Sequence, residues 1–353
     1  MTAITIHPSR IRSFGASDDV RFFLVTNRLA ADWFAIEPTH AYASAELLVS
    51  DSVDDFEELL LHAIPRRAHV LVISPGEIFH SPPPSTLGDR KLIAMPCYST
   101  PTPPEAIRRF MEVIEETDPL LHERVANRIL SDFARHPSLR FVDRNTAAVA
   151  AFDHHSGACR WYQQAGPIDW GEQQIGPAGK ISAVPGDIMQ HDPHARLPIN
   201  GELALRGQPI VHCSSSALRA DQQRLYQALT AIGRHALMAR VEDGEIARLR
   251  VTDSGAARAA AALEALFAED ARYRVLWEIG LGINTRSILH PSNMSMNEVY
   301  GGANGVCHFG LGLMPDTTYA LAFICPDTSI TGFDGEILFG AQLSANQREV
   351  TLQ

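Results

Sequence analysis

The sequence predicts an α/β protein in two parts: an open α/β layer over residues 1–137, then a β-rich domain over residues 138–353. Three observations carry this. A chain of 353 residues is longer than one hydrophobic core usually serves, which points to two domains. Up to residue 137, short apolar runs alternate with stretches of helical periodicity, as in an open α/β sheet. Beyond it the apolar segments become short and Gly-punctuated, as in a mostly β domain.

The elements follow in order. VRFFLVT at 20–26 is an apolar run suited to a buried strand. Residues 51–63 open with a cap candidate, Asp51 or Ser52, and place Phe56, Leu59, Leu60 and Ala63 on one helical face. HVLVIS at 69–74 is a β-branched strand ending in a Pro75–Gly76 turn. SPPPSTLGD at 81–89 predicts an extended surface loop, and KLIAMP at 91–96 another strand. Residues 103–117 form a helix opened by prolines, and 120–136 a second helix. In the second part, LRFVDR and AAVAAFD are strands joined by an Asn-Thr turn. Residues 236–251 are a hairpin turning at Asp243–Gly244, where positive φ angles are needed. The alanine-rich stretch 254–270 is a helix capped by Asp253 or Ser254.

Composition excludes several classes. A hydrophobic content of 45% and a charged content of 20% describe an ordered globular chain. The net charge of −11 argues against nucleic acid or an anionic membrane as partner. No apolar run is long enough to span a membrane, and the N-terminus has no secretory h-region, so a cytoplasmic protein is expected. Cys97, Cys159, Cys213, Cys307 and Cys325 are scattered without a C-x-x-C pair, as reduced core thiols would be.

Four segments carry the chemistry: PAGKISAVP at 177–185, WEIGLGIN at 277–284, GVCHFGLG at 305–312 and YALAFIC at 319–325. Together they resemble the thermophilic-type leucyl aminopeptidases, whose C-terminal domain also occurs in 2,5-dihydroxypyridine ring-cleaving dioxygenases. The resemblance is dense over the second half and covers the first only in general architecture. It implies a metal site at these segments, with carboxylates from the first two, a histidine from the third, and a His-x-Asp pair from the last. In this chain those positions read Lys180, Glu278, His308, and Leu321 with Phe323. A protonated ammonium has no lone pair and repels a cation, and Leu and Phe donate nothing. Glu278 and His308 alone rarely hold a metal, so the resemblance implies a dismantled site with no metal or cofactor. In it Lys180 pairs with Glu278.

On that basis the expected function is a non-catalytic peptide-binding protein, with Lys180, Glu278, Asn284, Arg286 and His308 lining the cleft. Such a protein is similar to the peptide-binding helpers of crocagin-type pathways, which act on ribosomally made precursor peptides. The family also implies a homodimer. Two alternatives stand beside it. One is a metal-dependent aminopeptidase or ring-cleaving dioxygenase using Asp187 with His191 or His194 as substitute ligands. The other is a structural partner of an active paralogue.

Other polar clusters have simpler readings. His191, Asp192 and His194 flank Pro193 and predict an exposed turn, and Asp153–His155 a solvated turn after a strand. Gly280-Leu281-Gly282 lacks the third glycine of a dinucleotide fingerprint. His212 precedes Cys213 and three serines, but neighbours on a strand point to opposite faces, so His212 is not placed to serve Cys213 as a base.

Overall fold

A computed structural model describes residues 3–17, 19–76, 79–186, 194–314 and 316–341, and the statements below concern those residues. The apolar runs of the first part become short parallel strands. In chain order the elements are β1 (Ile4–Ile6), β2 (Arg21–Thr26), β3 (Phe34–Ile36), β4 (Ser44–Val49), α1 (Val53–Glu58), β5 (Ala68–Ile73), α2 (Pro84–Leu87), β6 (Lys91–Ala94), α3 (Pro104–Glu116) and α4 (Pro119–Ala134). Ser52 caps α1 by accepting the Asp55 N–H, as its place before the apolar periodicity suggested. The proline-rich segment departs from the expected extended loop. Pro83 and Pro84 start the short helix α2, which buries Leu87 against the β5–β6 face of the sheet.

β2, β5 and β6 form the centre of a five-stranded parallel sheet, with β4 at one edge beside β2 and a strand from further along the chain at the other beside β6. Its edge strand β10 (Gln173–Ile175) comes from beyond residue 137 and pairs with Leu92–Ala94. Helix α3 covers one face with Ile107, Phe110, Met111 and Ile114, the i, i+3, i+4, i+7 stripe of a half-buried helix. Met294, Met296 and Val299 from the second half complete this cluster. Conversely, α4 places Ala126 and Phe133 in the core of the second half. The two halves are therefore interleaved rather than merely joined at 137.

The second half continues with β7 (Leu139–Asp143), β8 (Val149–Phe152), β9 (Cys159–Gln164), β11 (Lys180–Pro185), β12 (Ile199–Leu205), β13 (Gln208–Cys213), α5 (Arg219–Leu229), β14 (Leu237–Glu242), β15 (Glu245–Val251), α6 (Ala257–Glu269), β16 (Leu276–Gly282), β17 (Val306–Leu311), β18 (Tyr319–Cys325), β19 (Thr328–Gly332) and β20 (Ile337–Phe339). They build a six-stranded sheet, β13-β18-β17-β16-β11-β9, and a seven-stranded sheet, β15-β14-β12-β8-β7-β19-β20. One apolar cluster fills the space between them, with Phe141 meeting Phe309 edge-on at 5.4 Å. The hairpin turn is as the Asp-Gly pair requires, Asp243 at φ 46° and Gly244 at φ 79°. Asp253 caps the turn leading into α6. Among the described residues no helix is long and apolar enough to cross a membrane.

Side chains alternate across a strand, so the register of the six-stranded sheet decides which residues meet. Ser182 pairs with Gly280, Gly280 with His308, His308 with Ile324, and Glu278 with Gly310. His212 pairs with Ala320 and Ile210 with Ala322. These residues, with Lys180, share the face turned away from the sheet–sheet core.

Candidate functional site

The site is assembled on that outer face from the middle strands of the sheet and two segments laid over it. β11 supplies Lys180 and Ser182, β16 supplies Glu278, β17 supplies His308 and β13 supplies His212. Over them lies a 3-10 turn, Ser295–Val299, and the loop after β6 carrying Tyr98 and Ser99. The turn is pinned from both sides. Met296 and Val299 are buried in the N-terminal cluster, Asn297 exchanges hydrogen bonds with the His290 backbone, and Ser295 bonds to Thr100 and to the Pro96 carbonyl. Held this way, the turn leaves Glu298 to reach the sheet.

Lys180 is the hub. Its ammonium lies 3.0 Å from Glu278 Oε1 and 2.6 Å from Glu298 Oε2. Ser182 Oγ donates to the same Glu278 oxygen, Oε1. His212 Nε2 lies 2.9 Å from Glu298 Oε1, and its Nδ1 lies 2.7 Å from Ser99 Oγ. Burial works against the Lys180 charge, but the two carboxylates outweigh it and hold the proton more tightly than usual. Burial likewise opposes ionisation of Glu298 and Glu278. Lys180 outweighs it at both, helped by His212 at Glu298 and His308 at Glu278, so both carboxyls are held below the usual range. The three side chains keep 15, 23 and 18% of their surface exposed, for Lys180, Glu278 and Glu298 in turn, so the cluster opens to solvent at one side.

That side is a pocket of about 280 Å³ with a polar floor and walls from Tyr98, Val184, Trp277, Leu313 and Met314. Burial, then Glu298, push the Tyr98 hydroxyl up to about 12, so it remains a hydrogen-bond donor. Gly280 is bare because the His308 ring occupies the space a Cβ would need. His308 itself is 1% exposed, with Nε2 3.6 Å from Glu278, and neither ring nitrogen has a hydrogen-bond partner.

The arrangement offers a metal-like donor set with an ammonium held inside it. Glu278, Glu298 and His308 each bring a donor atom within 4.8 Å of the others, spacing that a divalent cation could use. The Lys180 ammonium, however, already sits within hydrogen-bonding reach of both carboxylates, where it would oppose a second positive charge.

Several expected site residues lie elsewhere. Phe323 is corrected by the register: with Leu321 it belongs to the core face, packed with Phe309 and Leu311, and the residues of β18 on the His308 face are Ala320, Ala322 and Ile324. Leu321 reaches the pocket wall without sharing the His308 face. Asn284 is fully buried; it donates to Thr117 and the Ala178 carbonyl and accepts from the N–H groups of Arg286 and Ser287, so it holds a turn rather than a ligand. The Arg286 side chain is 65% exposed and 3.8 Å from Glu116, away from the pocket. Asp187 and His191 lie outside the described residues, and His194 is in an exposed turn. His154 is buried rather than solvated, its Nε2 2.9 Å from the His136 carbonyl. Sequence reasoning missed Glu298, Ser99 and the role of His212. The one available signal was that Glu298 is the only carboxylate between Glu278 and His308 in the chain.

No protein-family model matches the chain, and no curated protein matches its sequence. Its structure is similar to that of 2,5-dihydroxypyridine dioxygenase from Pseudomonas putida KT2440, at 12% identity and a TM-score of 0.59 over 96% of both chains. It is also similar to wild-type AmpT from Thermus thermophilus, at 13% identity and a TM-score of 0.46 over 89% of this chain and 90% of that one. At such identities the likeness to the dioxygenase concerns the fold. The mixed α/β architecture is shared along nearly the whole chain.

Proposed function

We propose that this chain is a metal-independent peptide-binding protein built on the dioxygenase-like α/β fold. The observation that carries the reading is the Lys180 ammonium held between Glu278 and Glu298. It sits between the two carboxylates, where it opposes a shared metal cation and so disfavours metal-assisted hydrolysis, beside a shaped pocket. Two carboxylates against one ammonium leave a negative surplus on the floor, and Trp277, Val184 and Met314 give apolar walls. That chemistry suits a peptide amino terminus whose first side chain is apolar.

The alternative is a metal-dependent aminopeptidase or ring-cleaving dioxygenase, and the Glu278–Glu298–His308 spacing favours it. One experiment decides between the two. Elemental analysis after incubation with zinc or iron is combined with calorimetry against short peptides bearing free or acetylated amino termini. We expect no stoichiometric metal, and binding that acetylation abolishes. One metal per chain together with turnover of a peptide or a dihydroxypyridine would overturn the proposal.

A further inference from the structure

The pocket holds a second arrangement, which shares only Glu298 with the binding reading. Ser99 Oγ lies 2.7 Å from His212 Nδ1, and His212 Nε2 lies 2.9 Å from Glu298 Oε1. Ser99, His212 and Glu298 all line the pocket, with Ser99 itself 3% exposed at its edge. We propose that these three residues form a metal-independent nucleophilic relay that accepts an acyl group from a carboxylic ester.

The proton positions follow from the acceptor chemistry. Glu298 is held ionised by Lys180 and His212, and an ionised carboxylate can only accept. His212 Nε2 must therefore carry the hydrogen that points at Glu298. In the neutral imidazole this leaves a lone pair on Nδ1, which the Ser99 hydroxyl must meet as donor. A serine O–H aimed at a histidine lone pair, with the far nitrogen oriented by a carboxylate, has the roles of a Ser–His–acid triad. The two ring nitrogens are exchanged relative to the familiar serine proteases, but the chemistry asks only that one accept and the other be held. Lys180 adds a constraint of its own. By occupying Glu298 Oε2 it leaves Oε1 to His212 and fixes the carboxylate plane.

The step balances without a metal or an oxidant. Ser99 Oγ attacks the ester carbonyl carbon while its proton moves to His212 Nδ1. The tetrahedral adduct collapses, the bond from the carbonyl carbon to the alcohol oxygen breaks, and the departing alcohol takes the proton from His212. Water, deprotonated by the same nitrogen, then attacks the acyl carbon; the bond to Ser99 Oγ breaks, Oγ takes the proton back from His212, and a carboxylic acid leaves. In this scheme Ser99 and His212 are catalytic, and Glu298 is a positioning residue.

The test uses the full chain with chelator present. It is treated with p-nitrophenyl acetate and, separately, with a fluorophosphonate probe, followed by peptide mapping. We expect a burst of nitrophenol and an adduct on Ser99, both absent in Ser99→Ala. His212→Gln and His212→Asn should slow labelling by about 10² to 10⁴-fold, the range of a general base. Glu298→Gln should slow it too, because an amide can donate to Nε2 and turn the imidazole to the wrong tautomer; Glu298→Asp should restore part of the rate. A cooperative melt is required of each variant compared. Unmodified Ser99 in cooperatively melting wild type overturns the proposal whichever variants fold, as does labelling at an unchanged rate in a folded His212 variant. Calorimetry on Ser99→Ala separates this inference from the binding reading. Peptide binding without acylation leaves only the binding reading, and acylation without peptide binding leaves only the relay.

Discussion

Replacing Lys180 by methionine keeps most of the side-chain volume and removes the charge. The ammonium lies 2.6 and 3.0 Å from two carboxylates, and at an effective dielectric of about 20 each contact carries roughly 5 to 6 kcal/mol of attraction. Most of that offsets the cost of taking three charges out of water. What a single substitution exposes is the stranded partner, about 3 to 5 kcal/mol for a buried pair. With 15% of the lysine still exposed, the lower part of that range applies, so we expect Lys180→Met to lose about 3 kcal/mol in a urea titration at neutral pH. The vacated position then has two facing carboxylates and the His308 ring, with donor atoms within 4.8 Å of one another. Zinc should therefore bind the variant and restore about 2.7 kcal/mol at a hundredfold excess over its Kd. The same zinc should leave the wild-type midpoint unmoved. Wild type stabilised by zinc as strongly as the variant, or a variant as stable as wild type without metal, would show that the ammonium does not stand in for a cation.

The same cluster sets a pH window. Glu278 and Glu298 titrate below their unfolded values, so their contribution is complete above about pH 5 and drains as pH falls through the folded values. Lys180 titrates above its unfolded value, so its contribution is complete below about pH 10 and drains as pH rises beyond that. The stability gap between wild type and Lys180→Met should be widest in this plateau and narrow in acid, as urea midpoints will show; a gap that widens in acid contradicts the ion pairing. Gly280→Ala should cost about 1 to 3 kcal/mol, since the new methyl overlaps the His308 ring; a denaturation midpoint equal to wild type would mean the ring has room to move. Arg286→Ala should change stability by less than about 0.5 kcal/mol and leave peptide affinity unaltered, whereas Asn284→Ala should cost about 2 to 3 kcal/mol by leaving buried groups unpaired. Equal effects from the two would refute the division between a surface charge and a buried brace.

Much of the fold was legible because its signals are local. The Ser52 cap, the Asp243–Gly244 turn and the proline-opened start of α3 each depend on a few neighbouring residues, and each forms where the pattern put it. Lys180, Glu278 and His308 could be brought to one face because segment by segment they sit at matching strand positions. Phe323 shows where that reasoning breaks. A strand's faces alternate every residue, so a shift of one position moves a side chain from site to core, and only the pairing of His308 with Ile324 reveals it. Glu298 was illegible for a different reason. It enters from a turn whose placement depends on Met294 and Met296 packing beneath α3, far away in sequence. The Ser99–His212 contact joins residues 113 positions apart, and no periodicity encodes it. The proline-rich α2 shows a local rule overridden, because burying Leu87 outweighs the extended preference of the residues before it.

The strand Gln173–Ile175 closes the parallel sheet from well downstream of it. As the chain leaves the ribosome, β2, β5 and β6 are made long before their edge partner exists. Until residue 175 is made, the backbone groups of Leu92–Ala94 that β10 satisfies have no partner from this strand, and an open edge is a template for pairing with another chain. Closing that edge requires a non-local contact across two helices and three intervening strands, which is slow relative to local folding. Sealing of the first sheet therefore waits for synthesis of the chain through residue 175.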